Sequence, residues 1–190
     1  AAAARRFLVA LPEALRSTRP ARVLARSLES GRRAHSILLH GEDPAALEST
    51  VVALASAILD CPAQQARTHP DYITLRPSGK ARQIRIGERG ESGENTMRSL
   101  MRQVNQTPNR APRKLAVVFD ADRMNAATAN AFLKTLEEPP ADSTILLVTT
   151  RPYDLLDTIR SRCFHFRIDG GGAQTARDAR WQDWLDSYSR

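Results

Sequence analysis

A chain of 190 residues and 21.0 kDa is long enough for one domain with a real core and too short for two large ones. Hydrophobic residues make up 42% and charged residues 26%, which excludes a wholly disordered chain, and no run approaches the roughly 18 apolar residues of a membrane span. Two cysteines, Cys61 and Cys163, are too few for a disulfide scaffold or a four-cysteine zinc site. Leu8–Leu11 is too short for the apolar core of a secretion signal, and Pro12 follows at once, so a cytoplasmic location is expected. The net charge of +7 is concentrated: residues 1–33 hold eight arginines and two acids, leaving +1 for the rest. Such a segment either meets phosphate or an acidic partner, with Arg16, Arg19, Arg22 and Arg26 as candidate DNA contacts, or is a solvated face.

In chain order, residues 7–33 read as one or two helices, with Leu8, Leu11, Leu15 and then Val23, Leu24, Leu28 at helical spacing. Ser36–His40 is a short apolar run ending at Gly41 and reads as a buried strand. Leu47–Leu59 is a helix with Leu47, Val51, Leu54 and Ile58 on one stripe. Asp71–Leu75 is a second strand; residues 77–94 are loop, with a brief pairing open to Gln83–Ile86, and Thr96–Asn105 returns to helix. Leu115–Asp120 is a third strand, and Asn125 caps a helix whose inner face is Ala129, Phe132, Leu133 and Leu136, stopped by Pro139-Pro140. Thr144–Thr149 is a fourth strand, Asp154–Ser161 a short helix, and Phe164, Phe166 and Ile168 mark a half-covered fifth strand. Trp181, Trp184 and Leu185 suggest a tail helix. Apolar strands alternating with helices build a parallel sheet covered on both faces, with ligands expected at the strands' carboxyl ends.

The strand, turn and helix at 36–59 stand where a phosphate-binding loop would sit. Such a loop needs glycines, so that its amides can approach the phosphates, and a lysine to neutralise them. Only Gly41 is present, and Glu48 precedes Ser49-Thr50 where the lysine would be. Glu42, Asp43 and Glu48 repel a triphosphate, so ATP is not expected to bind here. The third strand lacks the adjacent Asp-Glu pair that organises Mg²⁺ and water; Asp120 reads as the remnant of either acid, depending on register, and Asp122 as the start of the turn that follows. His35, His40, His69 and His165 have no ligand spacing and read as structural.

One constellation is intact. Asp122-Arg123-Met124-Asn125 leads into Ala129-Asn130-Ala131-Phe132-Leu133-Lys134-Thr135-Leu136-Glu137-Glu138-Pro139-Pro140, followed by Ile159-Arg160-Ser161-Arg162-Cys163. Together with Thr68-His69-Pro70-Asp71-Tyr72, these motifs resemble the delta-prime subunits of bacterial DNA polymerase III clamp loaders, within the AAA+ superfamily, over roughly residues 35–168. The resemblance implies an α/β fold: a three-layer P-loop-NTPase-like (AAA+/RecA-like) domain with a five-stranded parallel sheet. With the charge and helical spacing read above, the chain is expected to divide into a basic helical segment at 1–34, the α/β domain at 35–168 and a short helical tail at 169–190. The resemblance also implies a non-catalytic subunit whose Arg162, in the Ser161-Arg162-Cys163 motif, reaches the ATP of a neighbouring gamma/tau-like ATPase. The delta subunit is a further implied partner, the sliding clamp an indirect one, and primed DNA an open one. A guanidinium is always charged, planar and rigid, which suits a γ-phosphate; the alternative is a surface arginine paired with Asp157 or another acid. Cys163 reads as a small buried residue, and Thr149 occupies the family's nucleotide-sensing position as a vestige. The family's four-cysteine zinc module is absent, since only Cys61 stands there, and residues 87–94 are an insertion. The helical lid and C-terminal collar are missing or reduced to the last twenty residues, so the chain is either a fragment or a shortened relative. Two other readings stay open: an atypical active ATPase, and a basic DNA-binding module outside the clamp loader.

Overall fold

A computed structural model of the chain describes residues 2–29, 35–88 and 95–169. The tail carrying Trp181 and Trp184 and most of the 87–94 insertion lie outside these residues. The elements in order are α1 (Ala2–Ala10), α2 (Glu13–Arg16), α3 (Arg19–Glu29), β1 (Ser36–His40), α4 (Pro44–Ile58), β2 (Tyr72–Leu75), α5 (Met97–Val104), β3 (Lys114–Phe119), α6 (Ala126–Glu137), β4 (Ser143–Thr149), α7 (Asp157–Arg160) and β5 (Phe164–Arg167).

The five strands form one parallel sheet in the order β2-β3-β4-β1-β5. The central β3 and β4 are buried along their whole length, which is why they read as continuous apolar runs rather than alternating ones. Successive side chains serve opposite faces. Ile37, Leu39, Leu115, Val117, Leu146 and Val148 pack under α1, α3 and α4. Leu38, Ala116, Val118, Ile145 and Leu147 pack under α5, α6 and α7 with Phe132, Leu136 and Ile159. Asn125 caps α6 by accepting the Thr128 amide at 2.8 Å, worth about 1 kcal/mol, and the helix ends at Glu137 before the two prolines.

Three details differ from the sequence expectation. The N-terminal helical region starts at Ala2 and is in three pieces, because Pro12 adopts an extended conformation and a turn at Ser17 separates α2 from α3. Asp154–Ser161 is not one helix: Pro152–Asp154 is a 3₁₀ turn and only Asp157–Arg160 is α-helical. Phe164 does not share the cover expected from its alternation with Phe166; it lies on the edge strand, 64% exposed.

One carboxylate organises the entry to β3. Asp71 is fully buried and accepts the amides of Asn109 (2.6 Å), Arg110 (2.8 Å) and Ala111 (2.8 Å) and the Asn109 Nδ2 donor (3.0 Å). Its own amide donates to His69 Nδ1 at 3.1 Å, and its carbonyl accepts from Leu115 at 2.9 Å, the first rung between β2 and β3. Because Nδ1 is the acceptor, the 3.8 Å approach of His69 to Asp71 Oδ2 is not an ion pair in this arrangement. Burial pushes the Asp71 pKa up, but the four donors outweigh it and hold the carboxyl at about 2.

Candidate functional site

The carboxyl ends of the strands hold most of the sequence-flagged residues. Between β1 and α4 there are only three residues, Gly41, Glu42 and Asp43. Asp43 is the N-cap, and its carboxylate accepts the Ala45 amide at 2.9 Å; Pro44 at the first helical position has no N–H, and the Leu47 amide is bonded to the Asp43 carbonyl. Among the described residues, only the Ala46 amide of this first turn is left to an outside anion, and the capping carboxylate already sits where that anion would come. The Gly41 position has a different physical cause. The chain leaving β5 crosses directly over it, with the Ile168 amide donating to the His40 carbonyl at 2.7 Å. A Cβ on residue 41 would come within 1.9 Å of the Ile168 carbonyl oxygen. Gly41→Ala is therefore expected to detach β5 from β1 at this end, with a loss of several kcal/mol in denaturant unfolding; an unchanged midpoint would show that β5 can shift without cost.

Ser49 and Thr50 lie in the second turn of α4 and turn their hydroxyls back along it, onto the Ala45 and Ala46 carbonyls, both at 2.8 Å. Glu48 faces outward and joins two arginines: Oε1 accepts from Arg76 and Oε2 from Arg67, each at 2.8 Å. The hydrogen bond from Arg76 is the main reason that the Glu48 pKa lies below its ordinary value; burial opposes it. The Arg76 guanidinium lies 3.6 Å from the centroid of the Phe119 ring at the end of β3. The cleft framed by Glu48, Arg76, Asp120 and Thr149 measures about 90 Å³, well under the ~300 Å³ at which ligand pockets begin. A wider hollow of about 280 Å³ lies beside it, between the ends of β1, β4 and β5. Its two arginines face acids: Arg167 pairs with Asp169 (2.8 Å) and Glu42 (3.5 Å), Arg151 with Asp122 (3.7 Å) and Asp154 (3.8 Å).

Asp120 follows β3 in the left-handed conformation (φ 47°) and begins the turn that carries Asp122. Asp122 is almost wholly buried and accepts from Thr149 Oγ1 at 2.5 Å. Thr149 in turn accepts the Arg151 amide at 2.9 Å. The fold thus joins the turn after β3 to the end of β4 through Asp122 and Thr149, while Asp120 lines the small cleft.

Arg162 is at the other end of the molecule. It lies in the turn between α7 and β5, two residues before β5 begins. Its partner is Glu137, the last residue of α6, and α6 ends beside the start of β1, where Ser36 Oγ donates to the Leu136 carbonyl at 3.4 Å. In a parallel sheet these are the amino ends of the strands, so Arg162 points away from its own chain's loop. Arg162 Nε donates to Glu137 Oε1 at 2.8 Å and Nη1 to the Thr158 carbonyl at 2.7 Å. Of the acids that the sequence left open for pairing, Asp157 is taken by Arg160 at 2.9 Å, and Glu137 is the one that Arg162 meets. Ser161 also bonds the Thr158 carbonyl, at 3.2 Å. Cys163 packs against the α5–α6–α7 core, and burial pushes its thiol up to about 12, which makes it inert packing rather than a nucleophile. Tyr153, Leu156 and Phe164 are the large apolar side chains exposed on this part of the chain.

The N-terminal arginines divide by role. Arg16 closes α1, donating to the Leu11 and Val9 carbonyls at 2.8 and 3.0 Å. Arg19, Arg22 and Arg26 are exposed on α3, and Arg22 and Arg26 line a shallow groove with Arg5 and Glu29 of the same helical layer. Among the described residues no helix is long and apolar enough to cross a membrane. Sequence reasoning had no role for Glu137, Arg67 or Arg76. Glu137 stood inside a recognised motif, but nothing local said which of two adjacent glutamates would meet Arg162.

The five-stranded parallel sheet, its strand order and its helical layers define an α/β domain of the AAA+ P-loop type. The model of the family described as DNA polymerase III, delta subunit, matches residues 17–170, and the chain belongs to that family. It is 33% identical over 156 residues to the DNA polymerase III subunit delta' of Escherichia coli strain K12, and 36% identical over 148 residues to that of Pseudomonas aeruginosa. These alignments cover 74% and 70% of the chain but 44% and 42% of the relatives, so the chain spans less than half of their length. Among solved structures, a DNA polymerase III gamma subunit-related protein from Thermotoga maritima superposes with a TM-score of 0.62 at 31% identity, covering 77% of this chain and 45% of that one.

Proposed function

We propose that this chain is a non-catalytic subunit of a bacterial clamp loader, acting in the cytoplasm. It packs beside a gamma/tau-like ATPase, in an assembly that includes the delta subunit, and presents Arg162 to the neighbour's ATP during sliding-clamp loading. The observation that carries the reading is the separation of the two ends. Arg162 sits at the amino edge of the sheet, where it cannot serve a nucleotide at the chain's own carboxyl edge. An arginine supplied in trans makes hydrolysis conditional on assembly.

The chain's own loop argues against catalysis in cis. Its helix N-terminus is capped by Asp43, and the small cleft is lined by the Glu48–Arg76 pair with no lysine among its lining residues. Titration of the isolated chain with Mg-ATP to millimolar concentration is expected to give no saturable heat or fluorescence change. Micromolar binding would revive the atypical-ATPase reading. The exposed arginines of α3 add a surface that DNA phosphate can meet, secondary to the role of Arg162.

The test is the ATPase rate of the cognate motor subunits on primed DNA with clamp, measured with no addition, with this chain, and with its Arg162→Ala variant after co-elution. A rate raised by the wild type and lost in the variant supports the reading; equal rates for the two sink it.

A further inference from the structure

The hydrogen-bonding capacity of Arg162 is split in two. A guanidinium has five N–H donors. Nε gives its only one to Glu137 Oε1 at 2.8 Å, and Nη2 gives one to the same oxygen at 2.5 Å. Nη1 gives one to the Thr158 carbonyl at 2.7 Å. Among the described residues, the second N–H on each terminal nitrogen meets no acceptor. Those two terminal nitrogens form the fork that can span two phosphate oxygens. The side chain is therefore clamped along its inner edge by the ends of two helices, α6 through Glu137 and α7 through Thr158. The side chain as a whole remains 31% exposed.

We infer that Glu137 is a positioning residue for Arg162: it holds the guanidinium in place with its terminal fork turned to a neighbouring phosphate. The inference rests on the reading of Arg162 given above. Three observations carry it. Both contacts from Glu137 run through one oxygen, so the carboxylate acts as a single fixed pivot. The pivot is built into the last residue of α6, whose Leu136 and Phe132 are buried in the core, so its backbone is anchored. Glu138, the adjacent and equally acidic residue, is exposed and makes no side-chain contact to Arg162, so the placement is specific to one of the pair. An unheld arginine must give up its rotamer freedom to reach the transition state, and a misplacement of about 1 Å can cost up to ~10²-fold in rate. A partly exposed surface ion pair of this kind adds little to folding, because water and salt screen both charges. Its geometry can therefore matter to a rate without mattering to stability.

The experiment uses the assembled clamp loader, with steady-state ATP hydrolysis on primed DNA as readout, and compares wild type, Glu137→Ala, Glu137→Gln, Glu138→Ala and Arg162→Ala. Glu137→Ala is expected to lower kcat about 10-fold, with the KM for ATP within about twofold, because the neighbour, not Arg162, binds ground-state ATP. Glu137→Gln keeps one carbonyl oxygen, enough for both hydrogen bonds, and is expected to recover most of the rate. Glu138→Ala is expected to match wild type, and all variants should co-elute and melt as wild type does. A wild-type rate for Glu137→Ala, with Arg162→Ala inactive, overturns the inference and leaves the trans-acting arginine standing. Both Glu137 variants running faster than wild type also overturns it, by making Glu137 a brake. An unaffected rate for Arg162→Ala, or no co-elution of the wild-type chain, overturns the reading on which the inference rests.

Discussion

On the trans-acting role proposed for Arg162, removing its side chain is expected to slow ATP hydrolysis by about 10³-fold at the neighbouring subunit's site, about 4 kcal/mol of barrier, without unfolding this chain. The magnitude follows from a comparison of two environments. Against Glu137, at a partly exposed surface, the guanidinium gains at most about 1 kcal/mol, because water competes for both ions. Against a γ-phosphate enclosed between two subunits, as that role requires, it would meet charge that develops only in the transition state, with water excluded, and each tenfold in rate is worth about 1.4 kcal/mol. The second environment wins by several kcal/mol, so the contact within the chain cannot retain the arginine at the expense of catalysis. Arg162→Lys is expected to behave nearly as the alanine variant does, because an ammonium has neither the planar fork nor the reach. Rapid-quench measurement of one turnover in the co-eluted complex checks this. A wild-type turnover rate for both variants would remove Arg162 from the mechanism.

The second large effect concerns stability. Asp71→Ala is expected to cost about 3–5 kcal/mol in urea unfolding, a large share of the 5–15 kcal/mol typical of a domain, because it strands buried donors around 109–111. Asp71→Asn keeps one acceptor oxygen but turns an NH₂ toward amides that are themselves donors, so it should recover only part of the loss. The pH dependence has a definite sign. The folded carboxyl titrates at about 2, below the ordinary 3.8. Its contribution is therefore complete above about pH 4 and is lost as the pH falls through about 2. The shift corresponds to about 2 kcal/mol, which the wild type should lose across that window and Asp71→Ala should not. Equal acid dependence for the two proteins, by circular dichroism between pH 5 and 1.5, would mean that Asp71 is not the group responsible.

Much of this was legible in the chain. β1, β3 and β4 are largely apolar because both their faces are covered, and a run of that length bounded by turn residues has few other fates. Asn125 announced its helix because a capping side chain bonds an amide three residues on, which is a local event. The missing lysine and the missing Asp-Glu pair were visible for the same reason: a phosphate loop and a metal-holding strand end are contiguous in sequence. The motif around Arg162 was likewise contiguous.

The tertiary structure decided what those residues do with each other. Glu137 and Arg162 are 25 positions apart; Glu48 is 19 from Arg67 and 28 from Arg76; Asp71 meets amides 38 to 40 positions on. Periodicity says which face of an element is buried, but not which charged ends meet across two elements. That depends on strand order and helix lengths, and the energies involved, about 1 kcal/mol for an exposed pair, are too small to leave a pattern in composition. Gly41 shows the same division. Its place after a strand invited a phosphate-loop reading, but the contact that forbids a side chain there comes from Ile168, 127 residues later, and exists only once β5 has joined the sheet beside β1.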